Sequence, residues 1–251
     1  TLLPLKASGH TFAGEVDKQP SSWDNIEMRV DEKSHSLHDL LRLGIHVGDF
    51  ISIDPQPDVM ENGFIVSRHL DDKAGVAVLL GAIKAVIDAG VELPVDCHPL
   101  FTISEEVGSG ASAILHGDIA EMLTLDNGTT AQGQNSREYG VTVCMADMSG
   151  PFDYHLTHRI LQLCQEFEIP HQRDIFRYYR SDSAAAVEAG NDLRTALATF
   201  GVDASHGWER IHWNALDSLA QLVALYMQSP PLYDRDREHR GPLTGFPTMP
   251  G

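Results

Sequence analysis

From Ser67 onward, short apolar runs alternate with longer stretches whose apolar residues recur every three to four positions. That is the pattern of strands and helices taking turns along a layered α/β fold. Residues 72–89 give the clearest helix. Ala74, Val78, Leu79, Ile83, Val86 and Ile87 spread apolar surface over much of its girth, and Gly90 ends it. Apolarity that broad suits a helix packed on a parallel sheet. Strands are predicted at 95–103, 122–126, 140–146, 171–176 and 193–199, with a short helix near 110–116. An amphipathic helix over 152–167 puts Leu156, Ile160, Leu163 and Phe167 on one stripe, and a further helix is expected near 183–189. A closing helix takes Asn214 as N-cap, carries Asp217 three residues on, and stops at Pro230 and Pro231. The expected class is α/β: a mostly parallel or mixed sheet with helices on both faces and ligands at the carboxyl ends of its strands.

The opening of the chain reads differently. Gly9, Gly14 and Pro20 punctuate short strand candidates, of which 26–30 is the clearest. Ser36 caps a brief helix over 37–43, and Gly44 supplies its left-handed stop. Two more strands are expected at 47–53 and 63–67. Three parts follow: a small β-rich module over 1–66, a catalytic-type α/β domain over 67–230, and a loosely packed extension over 231–251, where Pro, Gly and charge lack periodicity.

Charge narrows the partners. Eighteen Lys plus Arg stand against 36 Asp plus Glu, a formal net charge of -18. Such a field repels phosphates and anionic bilayers, so no nucleic acid and no membrane are expected as partners. No run reaches the roughly 18 to 20 apolar residues of a membrane span, and no secretory leader opens the sequence. Cys97, Cys144 and Cys164 share no close spacing and sit in apolar settings. They read as buried free thiols of a reducing, cytoplasmic compartment.

Two acidic pairs add chemistry. Asp71-Asp72 follows one apolar run and opens the long helix, while Glu105-Glu106 closes another. A carboxylate buried at a strand end costs several kcal/mol unless it meets a cation or several donors. A bridging carboxylate can hold two ions about 3.5 to 4 Å apart. Alone, Asp71 reads equally as a turn residue and Asp72 as a helix cap. Adjacent side chains on an extended segment face opposite ways, so one glutamate can bind metal while the other serves as base. Asp126, at the end of a third strand candidate, and His206, in a polar loop, complete most of a zinc-type set. His69 adjoins the first pair and is either a pocket or a structural residue. His116, His155 and His158 read as surface or packing residues, and Trp208 and Trp213 as core or pocket wall. Arg177, Tyr178 and Tyr179 can touch a substrate, with the arginine pairing to a carboxylate, or belong to a sheet edge.

Five strings carry a resemblance: IVSRHLDDKAGVAVLLGAI, FTISEEVGSGA, LTLDNG, SDSAAAVEAG and ASHGWERIH. Together, over residues 45–228, they resemble the tetrahedral-aminopeptidase and glutamyl-aminopeptidase family, metallopeptidases with a co-catalytic pair of zinc ions. The opening LLPLKASGHTF is similar to the edge of that family's inserted β module, which assists subunit association. By motif position the resemblance makes Asp71 the bridging ligand, Glu105 the general base, Glu106 and His206 ligands of one ion, and Asp126 a ligand of the other. Asp182 falls where the family keeps an aspartate beside the site, although Arg180-Ser181 precede it here. Gly207-Trp208-Glu209 replace the commoner neighbours of the family's histidine.

The resemblance implies removal of N-terminal residues from short peptides or related small amides. It also implies two divalent cations, zinc with cobalt or manganese as substitutes, and a homo-oligomer, a dimer or a dodecamer of dimers. One part of the pattern is missing. The family places a metal-binding histidine in a His-Met-Asp-type motif upstream of its β module, and His10 does not replace it. The sequence is thus expected to be incomplete at its N-terminus, with one metal site short of a ligand. Two alternatives share these residues: an N-acyl amino acid deacylase or carboxypeptidase-like hydrolase, and an inactive scaffold.

Overall fold

The computed structural model describes residues 1–115 and 117–237. His116 and most of the expected C-terminal extension, residues 238–251, lie outside the described residues. Contacts divide the chain into two units, Thr1–Ile53 and Asp54–Gly251.

In the first unit, β1 (Leu2–Pro4) pairs antiparallel with β2 (Ile26–Met28), Leu2 opposite Met28. A short turn of helix, α1 (Gly9–Phe12), lies between them, and α2 (Leu37–Arg42) follows. The Ser36 hydroxyl accepts from the Asp39 N–H at 3.3 Å, the expected cap, and Gly44 takes φ 79° as the expected stop. The strand expected at 47–53 does not form. No described strand lies beside it to accept its ladder bonds, and Val47 and Phe50 stand fully in solvent.

The second unit contains β3 (Asp58–Val59), β4 (Phe64–Ser67), α3 (Leu70–Ala89), β5 (Glu121–Thr129), β6 (Val141–Asp147) and β7 (Gly150–Pro151). It continues through α4 (Tyr154–Glu166), β8 (His171–Ile175), α5 (Asp182–Glu188), β9 (Arg194–Val202), β10 (Glu209–His212) and α6 (Trp213–Met227). The main sheet runs β5-β9-β6-β7, with β8 also on β6. Pairs β5/β9 and β6/β8 are parallel, and β6/β9 is antiparallel, so the sheet is mixed. A second sheet, β10-β4-β3, is antiparallel. Because β4 pairs with β10 across the chain, residues 58–67 belong to this unit and not to the opening module expected over 1–66.

Alternation along β9 decides what each sheet face holds. Ala196, Ala198, Phe200 and Val202 join Leu156 and Ile160 of α4, Leu219 and Leu222 of α6, and Val78 of α3 in one core. Leu197 points the other way, with Cys144, Phe152 and Phe176. Ser183 of α5 meets Thr124 of β5 at 2.6 Å on this second side. Helices therefore cover both faces, as expected. Each fully buried Leu or Phe here contributes roughly 1.5 to 3 kcal/mol.

Three expectations fail locally. Residues 95–103 form no strand and pair with no described one, and Glu105 and Glu106 sit on a short 3-10 turn, Glu105–Val107. Residues 110–114 form turns, not a helix, because the Asp182 carboxylate takes the Ala111 N–H at 2.7 Å. The N-cap of α6 is His212, whose Nδ1 accepts from the Asn214 N–H at 3.0 Å, while Asn214 Oδ1 accepts from the Gly140 N–H.

One helix end leads to a prediction. After α4 the Ile169 N–H bonds Cys164 O and the Glu168 N–H bonds Gln165 O, the paired arrangement that needs a left-handed residue between them. Glu168 occupies that position at φ 54°. Glu168→Gly is expected to stabilise the fold by about 1 kcal/mol, raising the melting midpoint by roughly 2 to 4 °C. A lowered midpoint in a thermal melt contradicts this.

Candidate metal centre

Four segments bring carboxylates and one imidazole to the carboxyl-end side of the main sheet. Asp71 and Asp72 stand where β4 hands over to α3, both outside helical φ/ψ. Glu105 and Glu106 come from the 3-10 turn, Asp126 from the second half of β5, and His206 from the loop after β9. His206 Nε2 lies 3.2 Å from Asp71 Oδ2 and 3.6 Å from Glu106 Oε2. Asp71, Glu106 and His206 form one triad of potential ligands; Asp71, Asp72 and Asp126 form another. Within each, the donor atoms lie within 4.8 Å of one another, and Asp71 belongs to both. Asp72, read from sequence as a helix cap, also takes the Gly75 N–H at 3.2 Å.

The cluster is short of positive charge. Burial first, then the charge of Glu106, pushes Asp71 up to about 6. Glu105 is pushed up to about 7 by burial, then by Glu106 and Asp182. Asp126 and Asp72 are also raised, by burial first and then by neighbouring carboxylates. Cations among these carboxylates would relieve a crowding that a single imidazole leaves uncompensated. The donors fit such ions. The first triad mixes oxygen with imidazole nitrogen, which suits zinc, while the second is all oxygen and accepts harder divalent ions as well. Asn127 supports the same reading: its N–H and side-chain amide both donate to Asp126 Oδ1, leaving its own buried Oδ1 without a partner.

A carboxylate that the sequence reading passed over holds the centre in shape. Glu209, on β10, is 1% exposed. Its Oε2 accepts from the Asp71 N–H at 3.0 Å and its Oε1 from the His206 N–H at 2.9 Å. It therefore clasps the backbones of two candidate ligand residues from distant parts of the chain. The clasp also secures a strained loop, since Ala204 and His206 take φ 56° and 66°. The signal was available: Glu209 is in phase with core Ile211, two residues on. Glu209→Gln keeps the volume but offers one acceptor to two donors. It is expected to weaken zinc binding about 10- to 100-fold, measured by competition titration against a chelating dye; unaltered affinity removes Glu209 from this role.

Asp71, Glu105, Glu106, Asp126, His206 and Asp182 all line one cavity of about 470 Å³. Asp182 is buried and turned toward the Ala111 N–H, so it braces the loop that follows Glu105-Glu106. Tyr179 lines the same cavity, its buried hydroxyl beside Asp126. His69 and Trp208 are not among the described lining residues. His69 takes φ 62° just before α3, and the Trp208 ring lies 5.9 Å below the Arg68 guanidinium.

The sequence profile described as M42 glutamyl aminopeptidase matches residues 3–222. YhfE, a candidate aminopeptidase of Bacillus subtilis (strain 168), is 40% identical over 230 residues, covering 92% of this chain and 66% of its own. The chain thus spans about two thirds of that relative's length. Two solved structures share the fold. One is the TET1 peptidase of Pyrococcus horikoshii, which can assemble into a tetrahedron or a large octahedral shell; its TM-score is 0.73 at 21% identity, over 90% of this chain and 68% of that one. The other is the TET aminopeptidase of Thaumarchaeota archaeon SCGC AB-539-E09, with a TM-score of 0.73 at 17% identity over 90% and 66%. A profile match over most of the chain, with a relative at 40% identity, means that the chain belongs to the M42 glutamyl aminopeptidase family.

Proposed function

We propose that the chain is a metal-dependent hydrolase that removes N-terminal residues from short peptides or related small amides. The observation that carries this reading is the pair of ligand triads meeting at Asp71, with Glu105 on the wall of the same cavity. Bound there, two divalent cations, zinc foremost and cobalt or manganese as substitutes, would polarise the scissile carbonyl and acidify the attacking water. Asp71, Glu106, Asp126 and His206 would hold the ions, with Asp72 beside Asp71 and Asp126 in the second triad. Glu105 takes the proton as water adds to the carbonyl carbon, then delivers it to the amine as the C–N bond breaks. Glu209 keeps Asp71 and His206 in register through both steps.

The apolar side chains that the first unit leaves in solvent, Val47 and Phe50 among them, support a role for it in subunit association, as a dimer or a dodecamer of dimers. Among the described residues no helix is long and apolar enough to cross a membrane. The three free cysteines suit a reducing, cytoplasmic setting.

The test is metal content with turnover. Chelator-stripped protein is reloaded with zinc, cobalt or manganese, the ions per chain are counted by atomic emission, and an aminoacyl-anilide panel is assayed. Two ions per chain with release of the aniline are expected. Failure to bind metal makes the chain a scaffold and overturns the reading.

A further inference from the structure

Beside the metal-centre cavity lies a second of about 610 Å³, and the two share Gln134 and Arg177 as common wall. Its charge is opposite to that of its neighbour. Arg173 and Arg177 both line it, and among the described residues neither guanidinium has an ion-pair partner. Arg180, a few residues on, differs: both of its terminal nitrogens are taken by the Glu188 carboxylate. Asp174 is the one carboxylate among the lining residues, and it is already engaged. Its Oδ2 accepts from Gln134 Nε2, the Asn135 N–H and the Ser136 N–H, and its Oδ1 from the Ile175 N–H. Gln132, Gln134 and Asn135 add neutral amides. In a chain of net charge -18, two guanidiniums without acidic partners in one cavity form a local positive site.

We propose that this cavity is a carboxylate-binding subsite, with Arg177 and Arg173 as its cations, and that the preferred substrate is a short zwitterionic peptide with a free C-terminal carboxylate. The substrate class rests on the hydrolase reading above; the anion preference of the cavity does not. The polarity of the two cavities matches that of such a peptide. Its amino end lies in the predominantly acidic metal-centre cavity, and its carboxylate end meets guanidiniums suited to bidentate pairing. Arg177 is the one cation in the wall common to both cavities, on the way from the metal centre into the second cavity. Each extended residue adds about 3.3 to 3.6 Å, so peptide length reports the span between the two ends.

The test is calorimetric binding of alanine di-, tri- and tetrapeptides, the tripeptide amide and the N-acetyl tripeptide. It uses the full chain carrying Glu105→Gln to suppress turnover, with and without zinc. The best free-acid peptide is expected to bind at least tenfold more tightly than its amide. Adding Arg177→Gln should bring that ratio close to one, and Arg173→Gln should reduce it in part. Both arginines are exposed, so neither change endangers folding. Equal affinity for acid and amide, a ratio that survives both arginine changes, or no binding of any peptide overturns the subsite. An N-acetyl tripeptide that binds as tightly as the free amine overturns the zwitterion assignment and favours a deacylase. Zinc uptake, read on the same samples, separates the two claims. Uptake without acid preference sinks the subsite alone, and acid preference without uptake sinks the hydrolase reading alone.

Discussion

Replacing Glu105 with glutamine is expected to lower peptide turnover by roughly a hundred- to ten-thousand-fold while leaving the number of bound cations unchanged. The reasoning is geometric before it is chemical. Glu105 and Glu106 are consecutive on one 3-10 turn, yet Glu106 joins His206 and Asp71 in a ligand triad and Glu105 belongs to neither triad. Glu105 is nevertheless on the wall of the same cavity. A carboxylate beside the candidate metal-ligating groups, but not one of them, is placed to carry a proton. Glutamine matches its size and removes only that capacity. Ion counting and turnover on the same preparation separate the possibilities. Full loading with lost turnover fits a base, whereas lost loading makes Glu105 a ligand. Full loading with unchanged turnover dismisses the residue from the reaction.

The parts of this site legible in the sequence were those set by short-range pattern. The aspartate pair ahead of a broadly apolar stretch announces α3, and the helix forms because its many apolar residues have a sheet and α6 to pack against. Asp126 stands inside a run of strand formers, and β5 pairs in parallel along its whole length with β9. What stayed hidden depends on partners far along the chain. The stretch ASHGWERIH reads as a polar loop, but its last four residues are a strand, because Ile65 and Val66 of β4 lie opposite Ile211 and Arg210. Only once that pairing exists does Glu209 turn inward and meet the Asp71 N–H, 138 residues away. Residues 95–103 show the reverse case: strand-like composition, with no described strand alongside to complete the ladder.

Local grammar misleads in a second way where a side chain has two uses. Asn214 has the composition of a helix cap, yet its Oδ1 serves the Gly140 N–H, and His212 caps α6 with a ring nitrogen. Asp182 likewise opens α5 in sequence, but its carboxylate reaches across to Ala111 and fixes the turn behind Glu106. Propensity describes what a residue does in isolation; here the competing bond is supplied by another segment. The site is therefore specified by long-range hydrogen bonds accepted by Glu209 and Asp182 as much as by the candidate ligand residues themselves.

Asp71→Asn is expected to reverse its effect on stability depending on whether metal is present. Asp71 is the residue common to both triads, with a side chain only 5% exposed. Asparagine keeps one oxygen, so it cannot supply both sites, and bound ions should fall from two to one or none with turnover lost. The loss of affinity should exceed the roughly 10- to 100-fold cost of changing an outer partner. In chelator the sign differs. The ionised Asp71 is then a buried charge among like charges from Glu106 and Glu209, and removing it relieves that repulsion. The stripped variant should melt above the stripped parent by roughly 2 to 4 °C for each kcal/mol relieved. Adding zinc at a thousandfold excess over its dissociation constant stabilises the parent by about 4 kcal/mol, and the variant much less. The two melting midpoints should therefore exchange order between chelator and zinc. A variant that melts below the parent in both conditions makes Asp71 a structural residue, with no cation needed to explain its burial.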